Sequence, residues 1–227
     1  MRKFIILLCL LVTATSAFAQ NTKIRQQKWA ICPKFGVSLF DGDITEKQVY
    51  SIFPQQSTPK FAAAFTGEYY FLPQLGVIAE YMYLPISSDY AHLKFSGVIN
   101  SGTAYISANV LNFFAPQRSQ RWNLYGNLGI GFSVYDSEST VSKYAPPRKI
   151  KGETAFHYAF DVAGEFSISN HFAILWNVQY RFYNKDNFEA MREKQGNSND
   201  GIYVSTIGLK YKFHPNLNNS HYRRYYW

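Results

Sequence analysis

Three side chains spaced four residues apart are the first group in this sequence that could do chemistry. His157, Asp161 and Glu165 share one face of an alternating segment, and such a set could serve as an acid–base cluster or a metal site. A strand rises ~3.3 Å per residue, so neighbours in the set would lie roughly 13 Å apart. His157 and Glu165 are twice that distance apart and cannot share one metal ion. We therefore favour structural filling for this set, and we expect no catalytic residue, metal or cofactor.

Two short motifs resemble ligand sites but lack the context that such sites need. The run Gly126-Asn-Leu-Gly129-Ile-Gly131 has glycines spaced as in a dinucleotide fingerprint, yet it lies inside a predicted strand and not between a strand and a helix. Glycines that admit bulky neighbours explain it better. Asp41-Gly-Asp43, followed by Thr45 and Glu46, could ligate calcium. It lacks the ligand spacing of an EF-hand, which favours a turn.

The first nineteen residues are typical of a secretory signal peptide. Arg2 and Lys3 precede a short apolar run, and Ala17-Phe-Ala19 forms a cleavage site. Cleavage leaves Cys32 as the only cysteine, for which we expect a packed, inert side chain. It also leaves 21 basic against 15 acidic residues, a formal charge of +6. That charge suits anionic lipid head groups, and export argues against nucleic acid as a partner.

Eight stretches between Trp29 and Phe213 each have one apolar face, and strict alternation along them predicts β-strands. A helix would instead cluster its apolar residues at spacings of three and four. The seventh stretch is the clearest, because alternate residues are large and apolar: Phe172, Ile174, Trp176, Val178, Tyr180 and Phe182.

The connections between these stretches alternate in length. Residues 72–74, 115–121 and 169–171 are predicted as tight turns, and 41–60, 86–102, 136–153 and 184–201 as long polar loops. Short periplasmic turns and long extracellular loops are typical of outer-membrane barrels. We therefore predict an all-β fold, an eight-stranded antiparallel up-and-down transmembrane β-barrel. It would lie in the outer membrane of a Gram-negative-type bacterium, with both mature termini in the periplasm.

The same reasoning divides the chain into four parts. Residues 1–19 are the signal peptide, 20–28 a periplasmic N-terminal segment, 29–213 the barrel and 214–227 a periplasmic aromatic and basic tail.

If the apolar face points outward, the opposite face places eight charged residues in one lumen: Lys34, Glu68, Glu80, Asp161, Glu165, Arg181, Lys210 and Lys212. Side chains alone fill the interior of an eight-stranded barrel, and charges there must be paired or hydrated. We predict ion pairs and no wide pore, with Arg181 pairing with Glu80, Asp161 or Glu165. Lys210 and Lys212 lie near the periplasmic end and could be hydrated instead.

Two segments resemble the OmpA-type family of eight-stranded outer-membrane barrels: Phe35-Gly-Val-Ser-Leu-Phe-Asp-Gly-Asp43 and Leu124-Tyr-Gly-Asn-Leu-Gly-Ile-Gly-Phe132. The end of the last strand, Lys210-Tyr-Lys-Phe213, is similar to the aromatic signal read by the barrel-insertion machinery. The resemblance thus implies that Tyr211 and Phe213 form an insertion signal. Members of this family often carry a peptidoglycan-binding domain after the barrel. We expect none here, because fourteen residues after Phe213 are too few.

The tail ends in a cluster of residue types that are common at interface hot spots: Tyr222, Arg223, Arg224, Tyr225, Tyr226 and Trp227. One hypothesis is that the tail docks on an outer-membrane or periplasmic subunit. The alternatives are a loose terminus and a terminal Trp227 that replaces the usual insertion signal.

Three functions remain open at this point. The first is a structural or accessory barrel, as a subunit of a larger envelope complex. The second is a lipid-modifying enzyme, for which Ser107, His157 and Ser205 are candidates that no motif brings together. The third is binding or adhesion through the loops, which would take an apolar ligand, a surface partner or lipopolysaccharide. A basic third loop, with Lys143, Arg148, Lys149 and Lys151, would attract anionic lipopolysaccharide or glycans, unless it is simply solvated.

Overall fold

The computed structural model describes residues 29–41, 58–72, 74–90, 93–114, 121–141, 148–169, 171–185, 188 and 200–213. Its strands are β1 (Trp29–Asp41), β2 (Lys60–Tyr70), β3 (Leu75–Tyr90), β4 (Leu93–Asn109), β5 (Trp122–Val141), β6 (Arg148–Ser167), β7 (Phe172–Tyr183) and β8 (Gly201–Phe213). A short helix, α1 (Val110–Phe114), follows β4. No helix within these ranges is long and apolar enough to cross a membrane. The predicted signal peptide and tail lie outside the described residues.

The eight strands form one closed antiparallel barrel in chain order, so the predicted all-β fold is confirmed. The stagger of the barrel can be measured by moving from each residue to its partner on the next strand. Starting at Ala30 and passing through Glu68, one circuit of the wall ends at Phe40, which is ten residues further along β1. With ~3.3 Å per residue and ~4.8 Å between strands, this stagger tilts the strands by about 40° from the barrel axis. Trp29 and Phe213 pair at what we call the terminal end, and Asp41 and Gly201 pair toward the loop end.

The two faces of the wall differ as the alternation predicts. In β7, Phe172, Ile174, Trp176, Val178 and Phe182 are exposed on the outside, Tyr180 on the same face is half-exposed, and the inward residues that alternate with them are buried. Polar groups on the outer face pair with each other. The Trp176 indole donates to Ser205 Oγ at 3.1 Å, and the Tyr81 hydroxyl donates to Asn100 Oδ1 at 2.9 Å.

Two of the four predicted long loops are wrong, because residues 86–102 and 136–153 are mostly strand. β3 and β4 stay paired up to Tyr90 and Leu93, and β5 and β6 up to Ser139 and Arg148. The Ser, Gly and Asp residues of these segments suggested loops, yet alternate residues still point inward and are buried. The predicted loops at 41–60 and 184–201 lie mostly outside the described residues.

The buried residues of this extension form a second interior layer, which we call the apolar plug. It fills the loop end of the barrel and consists mainly of Phe40, Met82, Leu84, Ile86, Phe95, Ile99, Tyr135, Ile150, Tyr183, Phe188, Ile202 and Val204. Aromatic pairs tie it together, for example Phe40 and Phe95 with ring centroids 5.0 Å apart. The sequence predicted a polar lumen throughout, so this layer was not foreseen.

A β-bulge interrupts the β5–β6 pairing in the extension. Tyr135 pairs with Glu153 and Ser137 pairs with Ile150, so Lys151 and Gly152 together oppose the single residue Asp136. Gly152 has φ 65°, a left-handed conformation that favours glycine. Its amide donates to Asp136 Oδ1 at 2.7 Å. The bulge therefore has a defined geometry that bends this part of the wall.

Candidate functional site in the barrel lumen

The centre of the lumen contains a charged group that we call the central cluster: Lys34, Glu80, Asp161 and Arg181. Glu80 of β3 is bonded on both carboxylate oxygens. Arg181 Nη2 of β7 lies 2.7 Å from Oε1, and Lys34 Nζ of β1 contacts Oε2. The Tyr105 hydroxyl and the Gln179 amide also donate to this carboxylate. Glu80 is therefore a fully bonded buried carboxylate held from three directions.

Asp161 completes the charge balance of this cluster without a direct ion pair among the described residues. Its Oδ2 accepts hydrogen bonds at 3.3 Å from the side-chain amides of Asn127 and Asn177. Arg181 thus pairs with Glu80, and not with Asp161 or Glu165. With Asp161 included, two carboxylates face two cations in the central cluster.

The terminal half of the lumen contains a second group, the lower cluster: Glu68, Glu165, Lys210 and Lys212. Lys210 Nζ lies 2.7 Å from Glu68 Oε2 and 2.7 Å from Glu165 Oε2. Lys212 Nζ lies 2.5 Å from Glu165 Oε1, and its side chain is 16% exposed. Lys210 is fully enclosed, so hydration in place of pairing does not occur at this residue.

Two tyrosines close the lower cluster. The Tyr70 and Tyr125 hydroxyls donate to Glu68 and Glu165, and both rings flank the Lys210 ammonium group, at 5.8 and 4.9 Å from the ring centroids. Every ion pair in both clusters joins strands that are not hydrogen-bonded neighbours. Arg181 and Glu80 lie on opposite sides of the barrel, and each of the other pairs spans one intervening strand. The clusters therefore tie together parts of the wall that backbone pairing does not connect.

His157 lies apart from both clusters. Its Nε2 is 2.9 Å from Thr103 Oγ1 and its Nδ1 is 3.1 Å from Ser133 Oγ, so two hydroxyls satisfy the buried ring. A Cβ placed on Gly131 would lie 2.7 Å from this imidazole. Glycine at that position therefore makes room for His157, which agrees with the structural interpretation of the glycine run. Among the described residues, no group of three or more His, Cys, Asp or Glu could hold a metal ion.

The three candidate residues for a lipid-acting enzyme are not brought together. Ser107 and His157 are buried in the lumen, whereas Ser205 lies on the outer face and accepts the Trp176 hydrogen bond. Thr103, the partner of His157, is four residues from Ser107 on β4, which is roughly 13 Å along a strand.

Two other residues considered in the sequence analysis, Asp41 of the possible calcium motif and the cysteine Cys32, can also be located in the structure. Asp41 accepts a hydrogen bond from the Tyr180 hydroxyl at 3.1 Å, and the remainder of its proposed calcium motif lies outside the described residues. Cys32 is a buried free thiol, as expected from its position in a strand.

Sequence reasoning did not single out the neutral side chains that complete the network. Tyr105, Gln179, Asn127 and Asn177 each bond a lumen carboxylate. The signal was present, since each lies on the inward face of its alternating strand. Reading that face for polar residues, and not only for charges, would have found all four.

Little space remains between the clusters. The cavity enclosed by residues of both has a volume of about 10 Å³, which is room for about one water molecule. Toward the loop end, the apolar plug follows. At this level the barrel is therefore filled by side chains.

The family described as "Outer membrane protein beta-barrel domain" matches residues 5–213. The chain belongs to this family. Its membership confirms the predicted outer-membrane location and the resemblance to outer-membrane barrels, and it places lipid and lipopolysaccharide around the apolar wall. No curated protein sequence matches the chain.

Solved structures agree with this family at the level of the fold. Neisserial surface protein A aligns with a TM-score of 0.52 and 10% identity, over 82% of this chain and 97% of that one. The outer membrane protein OprG from Pseudomonas aeruginosa aligns with a TM-score of 0.50 and 14% identity, over 85% of this chain and 100% of that one. At these identities the likeness extends to the fold alone.

Proposed function

We propose that this family member is a structural or accessory outer-membrane barrel with a closed lumen, and that it serves as a subunit of a larger envelope complex. The filled lumen carries the proposal. Two ion-paired clusters and the apolar plug occupy the interior, and the enclosed cavity between the clusters holds about 10 Å³. A hydrated ion needs a continuous polar passage, which this packing opposes.

Single-channel recording in a planar bilayer tests the closed lumen. The purified monomer should give small or no conductance steps, with a wide porin in the same bilayer as the positive control. A large and stable current from the monomer would show that the lumen opens, and the proposal would then be wrong.

The proposed orientation places the terminal end of the barrel in the periplasm. There, Phe213 pairs with Trp29 at the closing seam, and the Tyr211 and Phe213 rings pack 5.0 Å apart. We assign these two aromatic residues to the insertion signal, and the tail after His214 to contact with a partner subunit. Fourteen residues can reach at most ~50 Å, which is enough to lie along a neighbouring protein.

Truncation after Pro215 separates the two roles. The shortened chain should insert and show heat-modifiable migration on gels, but it should no longer co-purify with the partner that the full chain retains. Failure of the truncated chain to insert would instead make the tail, including Trp227, the insertion signal.

The separation of Ser107, His157 and Ser205 across the wall argues against the lipid-modifying alternative. Mass spectra of lipid A from cells with and without the gene provide the test. We expect identical acylation patterns, and any species lost on deletion would restore the enzyme hypothesis.

A further inference from the structure

A groove of about 330 Å³ lies on the outer surface of β4, β5 and β6, beyond the apolar part of the wall. Gly97 of β4, Asp136 and Glu138 of β5, and Lys149 and Lys151 of β6 line it. This groove thus carries four charged side chains together with Val98, in contrast to the wall beside it, where Phe132 is 69% exposed.

The depth of this groove relative to the bilayer follows from the strand geometry. On β5 the large outward residues are apolar from Trp122 to Val134, and Leu128 lies at the midpoint. Asp136 is eight residues beyond Leu128, which at ~3.3 Å per residue and a tilt of about 40° is about 20 Å along the barrel axis. The hydrocarbon core ends ~15 Å from the bilayer centre, and the head groups extend to about 20–22 Å. The groove therefore lies at the level of the lipid head groups.

The groove contains two carboxylates and two ammonium groups, and only one pair of them forms an ion pair among the described residues. Lys149 Nζ lies 2.8 Å from Glu138 Oε1, and Asp136 accepts the Gly152 amide across the bulge. Lys151 is exposed, and no ion pair of its side chain occurs among the described residues. The bulge thus places the exposed Lys151 ammonium group, opposite an Asp136 carboxylate that the Gly152 amide already bonds, where the phosphates of lipid head groups lie.

We infer that this groove binds a phosphate group of lipopolysaccharide, with Lys151 as the principal cation. Lysine binds phosphate as a point charge, and lipopolysaccharide is the phosphate-bearing lipid of the surface leaflet. The inference rests on the proposed orientation, in which the loop end faces the outside. The sequence predicted that a basic third loop attracts lipopolysaccharide, and the inference replaces that whole loop with one groove at a defined depth.

Charge reversal at each end of the barrel tests the site. Wild type, Lys151→Glu and Arg121→Glu are extracted from outer membranes in mild detergent, and the lipopolysaccharide bound per barrel is measured by native mass spectrometry. Arg121 is the matched control, because it is also exposed but lies at the terminal end. Titration with purified lipid A, and separately with phosphatidylglycerol, then gives relative affinities. Heat-modifiable migration confirms that each variant is folded.

We expect Lys151→Glu to bind lipid A about fivefold or more weakly, the effect of one lysine near an anionic surface. Lys151→Arg and Arg121→Glu should retain binding. Equal loss in both glutamate variants would overturn the site in favour of diffuse electrostatics. Loss in Arg121→Glu alone would overturn the orientation itself. Equal affinity of the wild type for phosphatidylglycerol would overturn the assignment to lipopolysaccharide.

Discussion

Replacement of Arg181 by leucine is the sharpest test of the central cluster. Arg181 is completely buried and donates to Glu80 at 2.7 Å, to Ser101 at 2.5 Å and to Gln179 at 3.2 Å. Removal of one member of a buried ion pair typically costs ~3–5 kcal/mol, because the remaining charge is left unpaired. Glu80 would still be bonded to Lys34, Tyr105 and Gln179. We therefore expect the lower end of that range, about 3 kcal/mol.

Equilibrium unfolding in lipid vesicles measures this cost. Urea titration followed by tryptophan fluorescence reports the free energy of unfolding, since Trp29, Trp122 and Trp176 are exposed on the outer wall. Lys185→Leu is the matched control. Its ammonium group pairs with Glu153 at 3.2 Å, but the two side chains are 37% and 41% exposed. Such a pair contributes at most ~1 kcal/mol.

The reasoning fails if Arg181→Leu unfolds at the same urea concentration as Lys185→Leu at neutral pH. That result would mean that the protein tolerates an unpaired charge in the lumen, through water or rearrangement. The proposed role of the central cluster in stability would then be wrong.

Two further substitutions test the packing of the wall in the same assay. Gly131→Ala should destabilise the barrel by ~1–3 kcal/mol, because the new Cβ would lie 2.2 Å from the Gly102 carbonyl oxygen. The control is Gly126→Ala, whose new Cβ would have no atom within 4 Å, so this substitution should be neutral or slightly stabilising. Equal effects of the two alanines would contradict the assigned inward and outward faces. Leu128→Arg, at the middle of the apolar wall, should cost ~2–4 kcal/mol, whereas Ser96→Arg, at the level of the head groups, should cost little. If Ser96→Arg were the more damaging of the two, the assigned membrane depth would be wrong.

The barrel was predictable because its signal is local. Strict alternation in β7 identifies the outward residues without knowledge of any other strand, and it assigns Arg181 to the lumen at the same time. The closed topology then follows from eight such strands and short connections at one end. The inward positions of the charged residues could therefore be predicted from the sequence.

The ion-pair partners of those charged residues could not be predicted from the sequence. Asp161 and Glu165 lie four residues apart on β6, yet one joins the central cluster and the other the lower cluster. Which charge meets which depends on the ten-residue stagger around the barrel, and that stagger is set by all eight strands together.

The loop-end extension was mispredicted for a different reason. Residues such as Ser87, Ser96 and Gly97 are typical of loops in a membrane barrel, and they obscured Ile86, Phe95 and Ile99 on the inward face. Above the apolar wall, the outward residues no longer need to be apolar. The alternation there is polar outside and apolar inside, which is the reverse of the pattern used to define the strands.

The ion pairs that β8 makes with strands other than its neighbours have a consequence for the order of assembly. Lys210 of β8 bridges Glu68 of β2 and Glu165 of β6, and Lys212 also reaches β6. An open sheet of seven strands would hold both carboxylates without these lysines, so the lower half of its interior would carry uncompensated negative charge. Pairing of β8 with β1 closes the wall and supplies the missing cations in the same step. Closure should therefore be all-or-none, and half-closed sheets should not accumulate.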